Sequence, residues 1–284
     1  MGSPARSRVL ERRRRPKPSR VGQRGLEPAS GRNLNHVSPS GSIFCALDRG
    51  VRSGFRPQQI GPQLVSHRAK MMAKQDSLDP HTRDLVRFAA AIAQGYEPEL
   101  RDRVAPLRSS QVPVGWVEEL LLQSVLMVGY PRALVAFTVW RKFSAVPAPE
   151  SDPDQDYTRA DEWTRRGAEL CATVYGDNYR KLRESVHALH PAIDSWMVTE
   201  GYGRTLARPG LDLRRRELCT VAQTAVLEAP RQLHSHLRGA LNAGATFGQI
   251  EGALSIVNPL LSFDQWKKVK ELWRTVRDGW SPGD

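Results

Sequence analysis

The chain has 284 residues, 40% of them hydrophobic, and a formal net charge of +12, which leaves apolar content for one large core or two small ones. Residues 1–70 hold fifteen of the 42 Lys/Arg and only three of the 30 Asp/Glu (Glu11, Glu27, Asp48), so the remainder carries 27 of each and is neutral. The high net charge therefore does not mark the rest as a nucleic-acid binder, and three scattered cysteines (Cys45, Cys171, Cys219) without a C-x-x-C exclude a disulfide framework and a structural zinc site.

The leader MGSPARSRVLERRRRPKPSR is rich in Arg, Pro, Gly and Ser and has no apolar period. Such a stretch cannot bury enough surface to offset chain entropy, and residues 1–70 are expected to be disordered. A basic arm can hold phosphates, but Glu11 and Pro16 spoil an amphipathic targeting helix and no apolar run follows. Met71 and Met72 sit just before the first periodic segment, which fits an extension upstream of the folded part.

From Met71 onward the pattern is helical, and strand-like alternation is missing. Leu120–Trp140 is apolar enough to suggest a membrane span. Gln123, Pro131 and Arg132 interrupt it and Glu118 and Glu119 open it, so a buried helix, a turn and a second helix are expected, in a soluble cytoplasmic protein without a membrane. Residues 146–156, rich in Pro and acid, read as a linker between a first part at 71–145 and a second at 157–280.

The two parts look like copies. An offset of 133 residues, without a gap, pairs Leu78 with Leu211, Asp79 with Asp212, Arg83 with Arg216, Leu85 with Leu218, Gly115 with Gly248 and Glu118 with Glu251. A register that holds across three predicted helices points to duplication of an all-α unit. In the second copy Leu218, Val221, Ala222, Ala225 and Val226 have the spacing of an amphipathic helix. Pro230 suits the start of the next helix and Gly244 its end. Thr246 and Gln249 are spaced as a capping box.

Several short stretches in order, RPGLD, REL and HLRGALNAG within Asp161–Leu254, resemble the carboxymuconolactone decarboxylase family. VEELLLQSVLMVGYPRAL in the first copy resembles its third helix and following turn more weakly. After Leu254 the second copy lacks the Gly-Tyr-Pro turn found at Gly129–Pro131. The resemblance implies an all-α fold of two tandem repeats, assembly into rings, and active sites without metal or organic cofactor. A redox branch, the alkylhydroperoxide-reductase-partner proteins, places a Glu, two cysteines and a His at fixed spacing. Here Glu217 and His236 take the Glu and His positions, while Ala229 and Gln232 stand where the cysteines would be. Neither can form a thiolate or a disulfide, so peroxide chemistry by that route is chemically impossible. Cys219 lies on the apolar side of its helix and reads as a buried thiol.

His234 and His236 are two residues apart, roughly 200° around a helix, and cannot chelate one metal. His236 matches the family's histidine and His234 matches no motif residue; His187 and His190 read as surface or capping groups beside Pro191. Losing CO2 from a carboxylated unsaturated lactone leaves electrons on a carbon conjugated with the lactone carbonyl. A group titrating near neutrality can supply the proton that quenches them, and imidazole meets that requirement. The resemblance thus implies His236 as catalytic proton donor with Glu217 orienting it. Arg216, Arg238, Arg204 and Arg208 are candidates for gripping substrate carboxylates. In the first copy His236 pairs with Arg103, Glu217 with Asp84 and His234 with Arg101, so that copy is expected to be catalytically degenerate and structural. One duplicated chain would then replace two subunits of a ring, giving a homo-oligomer of three chains. The alternative on the same scaffold is a non-catalytic assembly or small-molecule-binding protein.

Overall fold

A computed structural model describes residues 77–281; the leader, Cys45 and the Met71–Met72 pair lie outside the described residues. Every regular element among the described residues is helical. The first repeat comprises α1 (Pro80–Gln94), α2 (Glu97–Ser109) and α3 (Val114–Ser144). Gly129, at φ 71°, breaks α3 into two arms, the helix–turn–helix expected of Leu120–Trp140. The connecting stretch holds two 3-10 turns, Pro153–Gln155 and Tyr157–Arg159. The second repeat follows as α4 (Ala160–Tyr175), α5 (Tyr179–Leu189), α6 (Pro191–Trp196), a π-helical segment (Met197–Leu206), α7 (Leu213–Val226), α8 (Pro230–Asn242), α9 (Phe247–Val257) and α10 (Phe263–Asp278).

The duplication is written into the helix starts. α1 and α7, α2 and α8, α3 and α9 each begin 133 residues apart, and α10 begins 133 residues after Tyr130, the first residue past the break in α3. The start signals repeat as well. Asp79 caps α1 by accepting from the Thr82 N–H at 2.9 Å, and Asp212 caps α7 by accepting from the Arg215 N–H at 3.1 Å. Glu118 accepts from the Trp140 indole at 2.6 Å, and Glu251 from the Trp273 indole at 3.2 Å. The register therefore runs on through Trp273, past Leu254 where the sequence pattern falters. The missing Gly-Tyr-Pro turn is replaced by a short 3-10 turn, Asn258–Leu260, and by a capping box between Ser262 and Gln265 that restarts the chain as α10. The capping box expected at Thr246 and Gln249 is also present.

One core joins the repeats. α1 and α7 pack on each other through their buried faces, and Leu85, Phe88, Ala89 and Ile92 share a single apolar cluster with Leu218, Val221, Ala222 and Ala225. Small residues on both helices permit this close approach. A smaller cluster, Cys171, Val174, Tyr202 and Leu206, seats α4 on the π-helical segment. There two glycines let backbones touch. A Cβ on Gly167 would overlap the Val198 carbonyl oxygen, and one on Gly203 would overlap the carbonyl oxygen of Trp163.

The connecting stretch is held by a chain of ion pairs. Glu119 of α3, 7% exposed, accepts from Arg216 at 2.7 Å and from Arg208 at 3.0 Å. Arg208 also donates to Asp152 at 2.6 Å and Asp154 at 2.9 Å. Asp154 further accepts from the Trp163 indole and from Arg166, both at 2.8 Å. Arg204 donates to the Asp154 carbonyl at 3.0 Å and to Glu200 at 2.9 Å, and it lies over the rings of Tyr157 and Trp163. The hydrogen bonds from Arg208 hold the Asp152 carboxyl below its ordinary value.

Two outcomes follow from these contacts. Gly203→Ala must push two backbones apart, and urea denaturation should show a loss of about 3 kcal/mol; unchanged stability would contradict the contact. A carboxyl held low in the folded state contributes stability that is complete above its unfolded pKa of about 3.9 and is lost as pH falls through the folded value. Asp152→Asn should therefore be less stable than wild type at pH 7 and lose less than wild type between pH 5 and pH 3. Parallel curves in denaturant titrations at those pH values would contradict a role for Asp152.

Candidate functional site

Helix α7 turns two neighbouring side chains to different partners. Arg216 faces α3 and Glu217 faces α8, as residues about 100° apart on a helix must diverge. Glu217 is 1% exposed, and its Oε2 lies 2.9 Å from Nδ1 of His236 on α8. With Glu217 as a carboxylate it can only accept, so Nδ1 carries the proton and Nε2 is the nitrogen free to take one up or give it away. Gly239, one turn along α8, makes the pairing possible. A Cβ there would stand 2.7 Å from Glu217 Oε2 and 2.8 Å from Val174 Cγ1. In the sequence this glycine is marked only by its place in HLRGALNAG.

The pair is walled by α4 and the π-helical segment. Tyr175 and Tyr202 meet edge to face with ring centroids 6.1 Å apart. Burial, reinforced by the nearby charge of Glu217, pushes both phenols up, so neither ionises in the neutral range. Burial also pushes the Cys171 thiol up to about 12 and raises the Cys219 thiol. Both cysteines are free and buried, as expected for Cys219. Ala229 caps the start of α8 and Gln232 lies exposed on its first turn, with no cysteine at either position.

A cavity of about 410 Å³ opens between α4, α5 and α8. Tyr175 and Asn178 line one side with Lys181; His234, Ser235 and Arg238 line the other. Among the described residues Lys181, His234 and Arg238 have no carboxylate partner, and these three basic groups line this space. Tyr175 belongs to both places, lining the cavity while lying within the electrostatic reach of Glu217. His236 itself is 7% exposed and paired with Glu217, and it is not among the residues that line the cavity. His234, which matched no motif residue, is the histidine that lines the cavity. His190 accepts from the Ala192 N–H at 3.0 Å and caps α6.

The four arginines proposed from sequence part company. Arg238 lines the cavity. Arg204, Arg208 and Arg216 lie in the ion-pair chain around the connecting stretch, and their guanidinium groups are committed to protein partners. Arg216, 1% exposed, donates to Glu119, Gln123 Oε1 and the carbonyls of Leu211 and Arg208. Apart from Glu200, four residues before Arg204, their carboxylate partners Glu119, Asp152 and Asp154 are remote in sequence, and nothing local to the arginines signals them.

The equivalent place in the first repeat has no such pair. Asp84 accepts from the Ser110 hydroxyl at 2.5 Å and from Arg87 at 3.1 Å. Arg103 stands exposed where His236 would be, and Pro106 takes the place of Gly239.

The chain matches the model of the carboxymuconolactone decarboxylase family over residues 59–142 and again over residues 195–274. No curated protein matches it. The first matched region opens within the stretch assigned to the leader and ends in α3, and the second opens at the end of α6 and ends in α10, so each covers one copy of the helices that repeat at 133 residues. Two family domains over more than half the sequence, on an all-helical duplicated fold, place this chain in the carboxymuconolactone decarboxylase family.

Proposed function

We propose that the second repeat is a cofactor-independent carboxy-lyase that removes CO2 from a small carboxylated lactone of aromatic-acid breakdown. The observation that carries this reading is the buried Glu217–His236 pair beside a cavity with three unpaired basic groups. The cavity has the volume of a small-molecule site. Arg238 and Lys181 hold the substrate carboxylates, Arg238 as a planar fork and Lys181 as a point charge. The carbon–carboxylate bond breaks, CO2 departs, and the electron pair passes into the conjugated lactone as a dienolate. His236 does not line the cavity, so in this reading the substrate carbon reaches it past Tyr175, which borders both; protonated His236 then delivers its Nε2 proton to carbon while Glu217 keeps Nδ1–H in place, and the imidazole regains a proton from solvent. In this reading the first repeat is structural, and the chain assembles as a trimer of two-repeat subunits.

A second reading, a small-molecule-binding protein on the same scaffold, draws on a cavity lining that does not include His236. The two part on one assay. Wild-type protein should turn over 4-carboxymuconolactone, His236→Ala should lower kcat by a factor of about 100 or more, and Arg238→Ala should raise KM about tenfold with a smaller effect on kcat. Equal rates in wild type and His236→Ala would overturn the proton-donor role. Saturable binding without turnover in wild type would establish the second reading instead.

A further inference from the structure

The duplication supplies an internal control, because each position in one repeat can be compared with its counterpart in the other. In the second repeat, Phe247 at the start of α9 meets Trp273 and Trp280 edge-on, with centroids 5.7 and 5.9 Å apart, and Trp266 packs against the core. The counterparts of Phe247, Trp266 and Trp280 in the first repeat are Val114, Ala133 and Pro147. Three large rings are thus replaced by small side chains, while the Trp140–Glu118 hydrogen bond beside them is kept. The result is a cavity of about 720 Å³ between the arms of α3 and the connecting stretch, lined by those three residues and by Leu122, Leu134 and Phe137. Leu134 and Phe137 correspond to Lys267 and Lys270, so a charged face in the second repeat is apolar in the first. Leu134 and Tyr130 are 59% and 67% exposed at its mouth.

We infer that this hollow is a second binding site, separate from the Glu217–His236 site, for an uncharged aromatic molecule. The ring type follows from what fills the same space in the other repeat. Neutrality follows from the charged groups that share the lining, which are already paired with one another or with neighbours. Glu118 is paired bidentately with Arg141, Arg208 with Glu119, Asp152 and Asp154, and Arg204 with Glu200. A carboxylated ligand would find no free cation there and would lose its hydration without compensation. This sets it apart from the cavity at Arg238, whose basic groups are unpaired.

The test is a fluorescence titration of the full chain with N-phenyl-1-naphthylamine, an uncharged aromatic probe, with 1-naphthol and 1-naphthoate as competitors. Saturable binding is expected, displaced at least tenfold more effectively by 1-naphthol than by 1-naphthoate. Ala133→Trp, which restores the ring found in the second repeat, should weaken binding at least tenfold, and His236→Asn should leave it unchanged. Leu134→Lys changes an exposed residue to that of its counterpart, so it should keep the helical circular-dichroism spectrum and still weaken binding severalfold. It decides the matter if Ala133→Trp does not fold. No saturable binding, or undiminished binding in Leu134→Lys, would overturn the proposal. So would sedimentation showing that Leu134→Lys dissociates an oligomer that takes up no probe, since a second copy of the chain would then be the occupant.

Discussion

The buried pair between Arg216 and Glu119 is the contact on which the arrangement of the molecule turns. It links α7 of the second repeat to α3 of the first through a 2.7 Å hydrogen bond, with both side chains almost fully removed from water. Two desolvated charges are tolerable only when their remaining groups are satisfied, and here they are. Arg216 also donates to Gln123 and two carbonyls, and Glu119 accepts from Arg208. Arg208 in turn gathers Asp152 and Asp154 and so fixes the connecting stretch. The pair also sets the rotation of α7 about its axis. Once Arg216 faces α3, its neighbour Glu217 is turned toward α8, where it meets His236.

On this shared frame the repeats have been filled differently. Both keep their helix starts, their aspartate caps and their tryptophan–glutamate bond. The second repeat keeps a glutamate, a histidine and the glycine that lets them meet, and closes its far side with three aromatic rings. The first has Asp84, Arg103 and Pro106 at the matching places and leaves its far side hollow. A cavity lined by basic groups and a largely apolar one thus lie on different halves of a duplicated scaffold, with different surroundings for charge.

Much of the frame is legible in the sequence because its signals are local. Asp79, Asp212, Pro230, Thr246 and Gly244 act within a few residues of where they stand, and the 133-residue register can be read without any three-dimensional information. The Glu217–His236 pairing came through the family resemblance, since nothing in residue spacing alone brings positions 19 apart into contact. What stayed hidden depends on distant partners. The commitments of Arg204, Arg208 and Arg216 arise from residues about 50 to 100 positions away. The end of the second repeat was obscured because Ser262 and Gln265 do by capping what a Gly-Tyr-Pro turn does in the first. The role of Gly239 became visible only with the carboxylate and Val174 in place around it.

If the Arg216–Glu119 pair couples the repeats, the most direct measurement is a double-mutant cycle in urea with Arg216→Met, Glu119→Leu and the pair together. Each single change should cost about 3–5 kcal/mol, because it strands a buried charge. The double change should cost much less than their sum, in one cooperative transition. Additive losses, or two separate transitions in the wild-type chain, would contradict the account.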